Sequence, residues 1–569
     1  MQPDHTPTTF SRQTLTTLAA LGAAFALVAC GGSGGSSAPP PASTGTPVTG
    51  FVRAPIGTQL VLQANGAALP VTVARSTGNS TDAYDAFGFT FPALLAAATP
   101  YTLAVQTPPA GQTCSVYKGA SGTLPVVQAN VLVGCEYDYD LISRSSNDTA
   151  IGTYYDSSAP VVGGSNEPIG ATTQAYGEGR FVAFVSSAAG LAGNTNAHRQ
   201  VFWRDNLTGE TKLVSANAAG AEGNGDSWAP SISADGLAVA FESYATNLVV
   251  GDTNGVRDVF GWVTTDPTGI ERLSVGAGGV QANSESFGPT VSGDGRVVAF
   301  SSGASNLTAG VSGISTINVY RRDVINGTNT LISANAAGTG VGGSMPALSE
   351  DGLRLAFYSF ASNITAGDTN GLWDIFVYDH STASRTRVSL TSTGGERNQG
   401  TESASRVVAP TISGNGRYVA FATTATNMVP GDTNGMQDAF VVDTQTGAVT
   451  RASVSSAGAQ ANADSPQGQG ERLGLSYDGT WVSFTSLANN LGAGNGTSTG
   501  VTNALMHNRV TGETKALTYV TNSSVGPTVM SRNAAYVVFG GGVAFDARFN
   551  SSGLFSRYTG ASPAWWWGE

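Results

Sequence analysis

Histidine and charged side chains are scarce in this sequence of 569 residues, and each scarcity excludes a class of function. Charged residues make up only 12% of the chain, and 27 Lys and Arg against 39 Asp and Glu give a net charge of −12. An acidic chain repels phosphate backbones at long range, so nucleic acid is not an expected partner. The four histidines, His5, His198, His380 and His507, are too few and too scattered for a histidine metal site or a catalytic triad. The sequence therefore predicts no catalytic residues.

Long hydrophobic runs are also missing, apart from one near the amino terminus. Residues 15–29 form an apolar run that is too short for a membrane-spanning helix and is followed at once by Gly, Ser and Pro, so residues 1–29 are predicted to be a signal peptide. The run ends in Leu27-Val28-Ala29-Cys30, which resembles the lipobox of bacterial lipoproteins. The resemblance implies that the thiol of Cys30 carries the lipid, with palmitate among its acyl chains. The alternative is an ordinary signal peptide cut near Ala29.

The segment after the lipobox is predicted to be a tether. Residues 30–47 are almost entirely Gly, Ser, Pro, Ala and Thr, which cannot bury enough apolar area to fold. Gly31, rather than Asp, follows the cysteine, and by resemblance to the sorting rule of enteric bacteria this favours the outer membrane over the inner. We expect a cell-envelope protein that contacts the membrane through its lipid anchor alone, on a side of the outer membrane that the sequence leaves open.

Residues 48–137 are predicted to form a small β-sandwich, because alternating apolar segments there are separated by Gly, Asn and Pro turns. Export places the remaining cysteines, Cys114 and Cys135, in an oxidising compartment, and they most simply form a disulfide with each other. The runs Gly111-Gln112-Thr113-Cys114 and Val131-Leu132-Val133-Gly134-Cys135 resemble a short immunoglobulin-like module that is common in bacterial surface lipoproteins.

One signature recurs seven times in the rest of the chain. In each copy a turn leads into a strand that ends in Phe, and the copies end at Phe184, Phe241, Phe300, Phe357, Phe421, Phe484 and Phe539, 55 to 64 residues apart. Each complete copy supplies four predicted strands, with Pro at the head of the first, as at Pro230, and a large–small alternation in the second. A fixed period of strands without a helix pattern predicts a β-propeller, whose blades stack through two apolar faces.

The repeats resemble TolB-like propellers, whose WD-repeat-like blades share Pro-x-x-Ser, Asp-Gly, Ala-Phe and Asp-x-Phe-x-x-Asp patterns. The resemblance implies an all-β fold with a propeller over residues 138–569, and seven copies predict seven blades, with six or eight as alternatives. The last copy lacks a fourth strand, whereas Asp140-Leu141-Ile142-Ser143-Arg144-Ser145 matches the fourth strand Thr330-Leu331-Ile332-Ser333-Ala334-Asn335. We therefore predict that this early segment closes the ring as the outer strand of the last blade.

The long connections of the repeats are predicted to crowd one side of the ring. Connections between the second and third strands, and between the fourth strand and the next blade, run to roughly a dozen residues, while the other two are tight turns. Ligands of repeat proteins usually bind on such a face, although neutral drift of long loops would give the same pattern.

One loop motif suggests calcium. Gly-Asp-Thr-Asn-Gly-x-x-Asp occurs in the second, fourth and fifth copies, and its candidate oxygen donors are Asp252, Asn254, Asp258, Asp368, Asn370, Asp374, Asp432, Asn434 and Asp438. Spaced oxygen donors around a Gly turn suit a hard cation. The alternative is an Asn-Gly turn whose Asp side chains accept hydrogen bonds from loop amides.

These features favour a binding or scaffolding lipoprotein whose loop-rich face engages a protein or glycan of the cell envelope. A propeller hydrolase acting on glycans or peptides from the same face is the alternative, and a purely structural surface protein is a third possibility. Two or three carboxylates around the central channel, with a Tyr or Arg nearby, would favour the enzyme. The sequence leaves the oligomeric state and the identity of the partner open.

Overall fold

The structure is a computed structural model, and its description covers the following ranges: 46–55, 59–64, 67–72, 84–95, 100–107, 112–118, 121–123, 131–137, 140–141, 158–164, 179–195, 198–206, 208–266, 269–311, 316–399, 408–466, 472–491, 502–518, 525–534, 536–541 and 553–558. Cys30, the predicted signal peptide and most of the predicted tether lie outside these ranges. No helix within them is long and apolar enough to cross a membrane.

The region before residue 138 consists of two four-stranded sheets. Its strands are β1 (Thr46–Pro55), β2 (Gln59–Ala64), β3 (Ala67–Thr72), β4 (Tyr84–Leu95), β5 (Pro100–Thr107), β6 (Gln112–Lys118), β7 (Ser121–Thr123) and β8 (Val131–Tyr137). The sheet orders are β4-β1-β8-β6 and β3-β2-β5-β7, and β1 pairs with β8 in parallel. The immunoglobulin-like identity of this region stays a prediction.

The predicted disulfide falls on a pair of neighbouring strands. In the antiparallel pairing of β6 with β8, Cys114 lies directly opposite Cys135. Opposed Cα atoms in such a ladder are about 4.5–5.5 Å apart, a separation that a disulfide spans. The backbone therefore permits the predicted bond, which itself stays a prediction.

Seven further sheets of four antiparallel strands follow, here called blades 1 to 7. Blade 1 contains β10 (Ser158–Gly163), β11 (Phe181–Ser186), β12 (Gln200–Asp205) and β13 (Thr211–Leu213). Blade 2 contains β14 (Ser227–Ile232), β15 (Ala238–Ser243), β16 (Asp258–Val263) and β17 (Ile270–Arg272). Blade 3 contains β18 (Ser286–Val291), β19 (Val297–Ser302), β20 (Asn318–Asp323) and β21 (Thr328–Leu331), and a 3-10 turn at Ala277–Gly279 precedes it.

The later blades repeat the same order. Blade 4 contains β22 (Ser344–Leu348), β23 (Arg354–Ser359), β24 (Asp374–Asp379) and β25 (Ser384–Arg387). Blade 5 contains β26 (Thr411–Ile412), β27 (Tyr418–Thr423), β28 (Asp438–Asp443) and β29 (Val449–Arg451). Blade 6 contains β30 (Gly474–Leu475), β31 (Trp481–Ser486), β32 (Asn503–Asn508) and β33 (Thr514–Ala516). Blade 7 contains β34 (Val525–Met530), β35 (Tyr536–Gly541), β36 (Gly553–Tyr558) and the early strand β9 (Asp140–Leu141).

The ring closes as the repeat mismatch predicts. Strand β9 pairs antiparallel with β36, with Leu141 opposite Phe555, and so becomes the fourth strand of blade 7. Across the neighbouring seam, Val538 of blade 7 packs with Phe184 and Phe202 of blade 1. The all-β, seven-bladed β-propeller is thereby confirmed, and the six- and eight-bladed alternatives are wrong.

The recurrent Phe of each copy explains why the blades stack. Phe241 of β15 lies opposite Phe260 of β16, with ring centroids 5.7 Å apart and both side chains fully buried. Phe241 also shares a core cluster with Ala183 of blade 1, while Phe300 of blade 3 shares one with Ala240 of blade 2. Phe241 and Phe300 thus pack against small side chains of the preceding blades, and burying such a ring contributes about 1.5–3 kcal/mol.

The tight turns between first and second strands are held by their own side chains. In Ser233-Ala234-Asp235-Gly236, the hydroxyl of Ser233 accepts the Ala238 N–H at 2.9 Å, and Asp235 accepts the Leu237 N–H at 3.1 Å. Gly236 has φ +75°, and a Cβ there would lie 1.9 Å from the ring of Phe181, so both the conformation and the space require glycine. The side chains of this Ser-x-Asp-Gly sequence therefore cap the hairpin.

Candidate functional site

The two faces of the ring differ in the length of their connections. The connection from β15 to β16 runs from Ser243 to Asp258, and the connection from β17 to β18 runs from Arg272 to Ser286. Both leave the same side of the disc, which we call the loop face. The short connections, such as the turn from Ile232 to Ala238, lie on the other side, which we call the turn face.

The predicted calcium loops lie on the loop face of blades 2, 4 and 5, and each is bound to an arginine of the same blade. In blade 2, Arg272 Nη1 lies 3.2 Å from Asp252 Oδ1 and 3.9 Å from Asp258 Oδ2. In blade 5, Arg451 Nη1 lies 3.1 Å from Asp432 Oδ1 and 3.6 Å from Asp438 Oδ2. The arginine is the last residue of the fourth strand, so it reaches back under the loop.

Blade 4 repeats this arrangement with two additional charges. Arg387 Nη1 lies 2.8 Å from Asp368, 3.6 Å from Asp374 and 2.7 Å from Glu396. Glu396 also accepts the Thr369 N–H, and this hydrogen bond, followed by the one from Arg387, lowers its pKa to about 2. A second arginine, Arg397, lies 3.4 Å from Asp374.

Burial acts on the carboxylates of these loops. Desolvation raises the pKa of Asp252 and Asp258 in blade 2, of Asp368 in blade 4, and of Asp432 and Asp438 in blade 5. The arginine opposes this effect in each case. Asp258 is further held by the hydroxyl of Ser274 and by the amide nitrogen of Asn254, at 2.8 Å, and Asp438 has the same partners in Ser453 and Asn434. In blades 2 and 5 the loop thus sets one arginine against two carboxylates, and blade 4 adds one further charge of each sign.

Three other blades have the same backbone positions without the charges. The position of Asp258 is occupied by Gln200, Asn318 and Asn503 in blades 1, 3 and 6, and the position of Arg272 by Leu213, Leu331 and Ala516. The hydroxyl of Ser215, like that of Ser333, donates to the amide oxygen at this position, as Ser274 donates to Asp258. Carboxylate and arginine therefore occur together in blades 2, 4 and 5 and are replaced together in blades 1, 3 and 6.

Calcium stays a prediction. Within the ranges that the structure describes, no group of three or more His, Cys, Asp or Glu side chains is placed to hold a metal ion. The positive charge between the two carboxylates of each loop is an arginine, and the oxygen of Asn254 accepts the Val256 N–H at 3.3 Å. This geometry favours the alternative interpretation, in which the loops are held by their own hydrogen bonds and ion pairs.

Aromatic and apolar side chains gather on the loop face of blades 2, 3 and 4. We call this group the aromatic rim, and it comprises Trp228, Tyr244, Phe287, Met345, Phe360 and Trp373. Trp228 and Tyr244 meet edge to face with centroids 5.7 Å apart, and Phe360 and Trp373 lie 5.9 Å apart. Phe360 is 56% exposed, while Tyr244 and Trp373 are each 41% exposed. Large side chains so exposed on blades 2 and 4 of one face mark a surface suited to binding.

Bulges in the first strands position part of this rim. The pairing register shifts after Trp228, after Phe287 and after Ser344, so each strand carries an irregularity at its loop-face end. The residues there have positive φ, +46° at Ala229 and +56° at Met345, where a side chain is strained. Such bulges redirect side chains and are common beside binding sites.

A charged network surrounds Tyr244 at the junction of blades 2 and 3. Arg257 lies 2.9 Å from Glu242 and 3.2 Å from Glu285, so one guanidinium bridges the two carboxylates. Its guanidinium carbon lies 4.5 Å from the ring centroid of Phe287. The hydroxyl of Tyr244 donates to Glu285 at 3.2 Å. Burial raises the pKa of this hydroxyl; the charge of Arg257 opposes the shift, and that of Glu285 adds to it. The backbone N–H of Gly288 donates to Glu242 at 2.6 Å, which ties blade 3 to blade 2.

The central channel holds a cavity of about 210 Å³, lined by the first strands of all seven blades. Its wall combines apolar side chains, as at Val291, Leu348 and Ile412, with polar groups, and Glu350 is the only carboxylate among the described residues that line it. Among these described lining residues there is thus no pair of carboxylates of the kind that would favour a hydrolase.

A plug of three side chains crosses the turn-face end of the channel. Arg532 of blade 7 donates to Glu350 of blade 4 at 3.0 Å, and its guanidinium carbon lies 3.7 Å from the ring centroid of Tyr477 of blade 6. Burial raises the pKa of Glu350 although Arg532 opposes this effect. A Cβ on Gly414 would lie 2.3 Å from Tyr477, so this glycine leaves room for the plug.

Arg472 connects three blades at the loop-face end of the channel. It donates to the carbonyl oxygens of Pro410, at 3.2 Å, and Pro346, at 3.0 Å. Burial lowers its pKa to about 10. The first strands of blades 5 and 6 are only two residues long, and these hydrogen bonds join them to blade 4.

Comparisons with known proteins agree with the propeller at low similarity. The chain is similar to the putative TolB of Agrobacterium tumefaciens, at 16% identity over 58% of this chain and 90% of that one, with a TM-score of 0.31. It is also similar to the β-propeller domain of the trilobed protease of Pyrococcus furiosus, at 10% identity over 69% of this chain and 96% of that one, with a TM-score of 0.38. No protein-family model and no curated protein matches the chain. Similarities this low carry no argument about function, and the fold rests on the strand topology itself.

Sequence reasoning found the loops but not the side chains that complete them. Arg272, Arg387 and Arg451 each end the fourth strand and are followed two positions later by a Ser. This Arg-x-Ser sequence accompanies Gly-Asp-Thr-Asn-Gly in the same three copies. That shared occurrence is a signal that could have predicted the ion pairs. The cluster around Tyr244 gives no comparable signal, because its members come from two blades and meet only where these blades pack against each other.

Proposed function

We propose that this chain is a lipid-anchored binding protein of the bacterial cell envelope, whose loop face holds a protein or glycan partner. The observation that carries the proposal is the aromatic rim, where Tyr244, Phe360 and Trp373 are solvent-exposed on two blades of one face. Exposed aromatic side chains next to an ordered Arg and Glu are the composition of binding surfaces, which combine apolar anchors with a polar border.

The anchor completes this proposal. The sequence around Cys30 resembles a lipobox, and the segment that follows it suits a flexible tether. Strand β9 is the outermost strand of blade 7, so the chain that comes from the tether enters the ring at its edge. A ring held by its edge keeps the loop face accessible to a partner.

A hydrolase on the same face is a weaker candidate. Glu242 and Glu285 are two carboxylates with a Tyr and an Arg beside them, as such an enzyme would need. Both carboxylates, however, face the same guanidinium of Arg257 instead of a gap in which a scissile bond could lie between them. This arrangement suits recognition better than acid–base catalysis.

Capture from envelope extracts tests the binding face. The full chain carrying Cys30→Ser, which removes the lipid, serves as bait. The variant Tyr244→Ala/Phe360→Ala is expected to lose the captured partner, because it removes two exposed rings of the rim. Val510→Ala is the matched control, since Val510 is 78% exposed in a turn-face connection of blade 6. Capture that is unchanged by the double rim variant would refute the proposal for this face.

Metabolic labelling with palmitate tests the anchor. The wild-type chain is expected to incorporate the label and to sediment with membranes. Cys30→Ser removes the thiol that would carry the lipid, so it is expected to abolish both properties. A Cys30→Ser chain that still incorporates label, or a wild-type chain that never does, would exclude lipidation at this cysteine.

A further inference from the structure

The cluster at the junction of blades 2 and 3 has the composition of a small binding site. It consists of Trp228, Tyr244, Arg257, Glu285 and Phe287, with Glu242 beneath them. The ring of Tyr244 is 41% exposed and the side chain of Glu285 is 45% exposed, whereas Glu242 is only 8% exposed. The exposed surface therefore offers an aromatic ring beside carboxylate oxygens, on a support of buried ion pairs.

The geometry holds these groups rigidly before any ligand arrives. Arg257 is fixed by Glu242 on one side and by Glu285 on the other, at 2.9 and 3.2 Å. Tyr244 is fixed by its hydrogen bond to Glu285 and by edge-to-face contact with Trp228. Fixed side chains lose little conformational entropy on binding, which is a property of preformed sites.

Charge restricts what this site accepts. A cationic ligand would use the faces of the aromatic rings, but the guanidinium of Arg257 already lies 4.5 Å from the Phe287 centroid and 5.7 Å from that of Tyr244. An anionic ligand would meet a cluster of two carboxylates and one arginine in a chain of net charge −12. The remaining class is a neutral ligand that has both an apolar face and hydrogen-bonding groups.

Strand pairing disfavours a peptide in this position. Peptides are recognised chiefly by pairing with a free strand edge or by lying in a groove. Tyr244 follows β15 and Arg257 precedes β16, and these two strands are paired on both edges within blade 2. The exposed acceptors are carboxylate oxygens instead of backbone groups, and a planar carboxylate accepts two neighbouring hydroxyls well.

We infer that this cluster is a saccharide-binding site, in which the apolar face of a neutral sugar packs on Tyr244 and its hydroxyls bind Glu285 and Arg257. The inference rests on the proposed function, since it names the ligand class of the same face. Stacking on one exposed ring with a few hydrogen bonds gives modest affinity, so a polymer that repeats the sugar is the appropriate probe.

Native electrophoresis in gels that contain a soluble neutral polysaccharide tests the inference. The probes are a mixed-linkage β-glucan, a galactomannan and dextran, and the protein run in each gel is the full chain with Cys30→Ser. At least one polymer is expected to retard this chain, Tyr244→Ala is expected to weaken binding at least 10-fold, and Glu285→Gln several-fold. Tyr244→Phe retains the ring and is expected to bind with little change. The fluorescence of Trp228, read against Trp228→Phe, reports binding independently.

The outcomes separate this inference from the proposal on which it rests. Retardation that depends on Tyr244 and Glu285, and that Val510→Ala leaves unchanged, supports a saccharide site. If no polymer retards the chain while envelope capture still depends on the rim, the saccharide inference is overturned and the partner is a protein. If Val510→Ala weakens retardation as much as Tyr244→Ala, binding is unspecific and the inference is likewise overturned.

Discussion

The loop before the third strand carries charged residues in blades 2, 4 and 5, whereas the matching positions of blade 1 are neutral. Blade 5 places Asp432, Asp438 and Arg451 where blade 1 has Asn194, Gln200 and Leu213. Both sequences keep an Asn followed by a small residue, Gly or Ala, and a Ser two positions after the end of the fourth strand. The difference teaches that the fold tolerates either a neutral set or a balanced charged set, and that the members of a set belong together.

The two faces of blade 5 extend this comparison. On the loop face, burial raises the pKa of Asp432 and Asp438 although Arg451 is beside them. On the turn face, the hydrogen bond from the exposed Arg417 lowers the pKa of Asp443 to about 2. An Arg–Asp pair thus favours the charged carboxylate on the turn face, where the arginine is partly exposed. On the loop face the arginine only partly offsets the desolvation of the carboxylates.

The largest expected effect comes from removing the buried arginine alone. Arg451→Leu leaves Asp432 and Asp438 buried without a counter-charge, which is expected to lower the free energy of unfolding by about 3 kcal/mol. Thermal and guanidinium denaturation followed by circular dichroism measure this. Arg417→Leu in the same blade is the matched control, and its effect is expected to be smaller because the Arg417 side chain is 37% exposed and its pair with Asp443 is partly screened by water. Equal effects of the two variants would contradict the argument from burial.

Converting the whole set is expected to restore stability. The variant Arg451→Leu/Asp432→Asn/Asp438→Asn gives blade 5 the neutral pattern of blades 1, 3 and 6. Neutral amides need no counter-charge and can keep the hydrogen bond to Ser453, so the unfolding free energy is expected to return to within about 1 kcal/mol of wild type. A double-mutant cycle between position 451 and the two carboxylates measures the coupling. A triple variant as unstable as Arg451→Leu would show that the residues do not act as a set.

The architecture could be predicted from the sequence because each repeat corresponds to one blade. The spacing from Phe241 to Phe300 defines the period, and the surplus strand at Asp140 identifies the closure without any three-dimensional information. These features are local or periodic, so pattern analysis detects them. The prediction of a seven-bladed β-propeller is accordingly confirmed, while the TolB-like assignment, lipidation and the disulfide stay predictions.

The site was less predictable because its contacts are not periodic. Asp252 and Arg272 are twenty positions apart, and their meeting depends on how far the fourth strand extends beneath the loop. In blade 1 the sequence Gly193-Asn194-Thr195-Asn196 matches the motif with Asn in place of Asp, so a pattern that requires Asp does not detect it. The contact of Tyr244 with Glu285 joins two blades, and the sequence alone does not predict which residues of neighbouring blades meet.

A smaller effect is expected from acidification of the turn-face pair. The pKa of Asp443 is lowered to about 2 in the folded chain, below its ordinary value of 3.8. The stability that this pair supplies is therefore present above pH 3.8 and is lost as the pH falls towards 2. The difference in melting temperature between wild type and Arg417→Leu is expected to shrink between pH 5 and pH 3, within the range where the chain stays folded. A difference that grows on acidification would contradict the assignment.

The smallest expected effect is that of a calcium chelator on the wild-type chain. This measurement tests whether the arginine takes the place of a calcium ion in the loop. Arg451 supplies the positive charge between Asp432 and Asp438, so the wild-type melting temperature is expected to be the same with and without chelator. In Arg451→Leu the two carboxylates and the side chain of Asn434 have no cation, and added calcium is expected to raise the melting temperature, because a ligand that binds the folded chain stabilises it. Magnesium is the control, since it demands a stricter geometry. A wild-type melting temperature that falls with chelator would place calcium in these loops despite the arginine, whereas a variant that ignores calcium would mean that the arginine balances charge in a loop that never suited a metal.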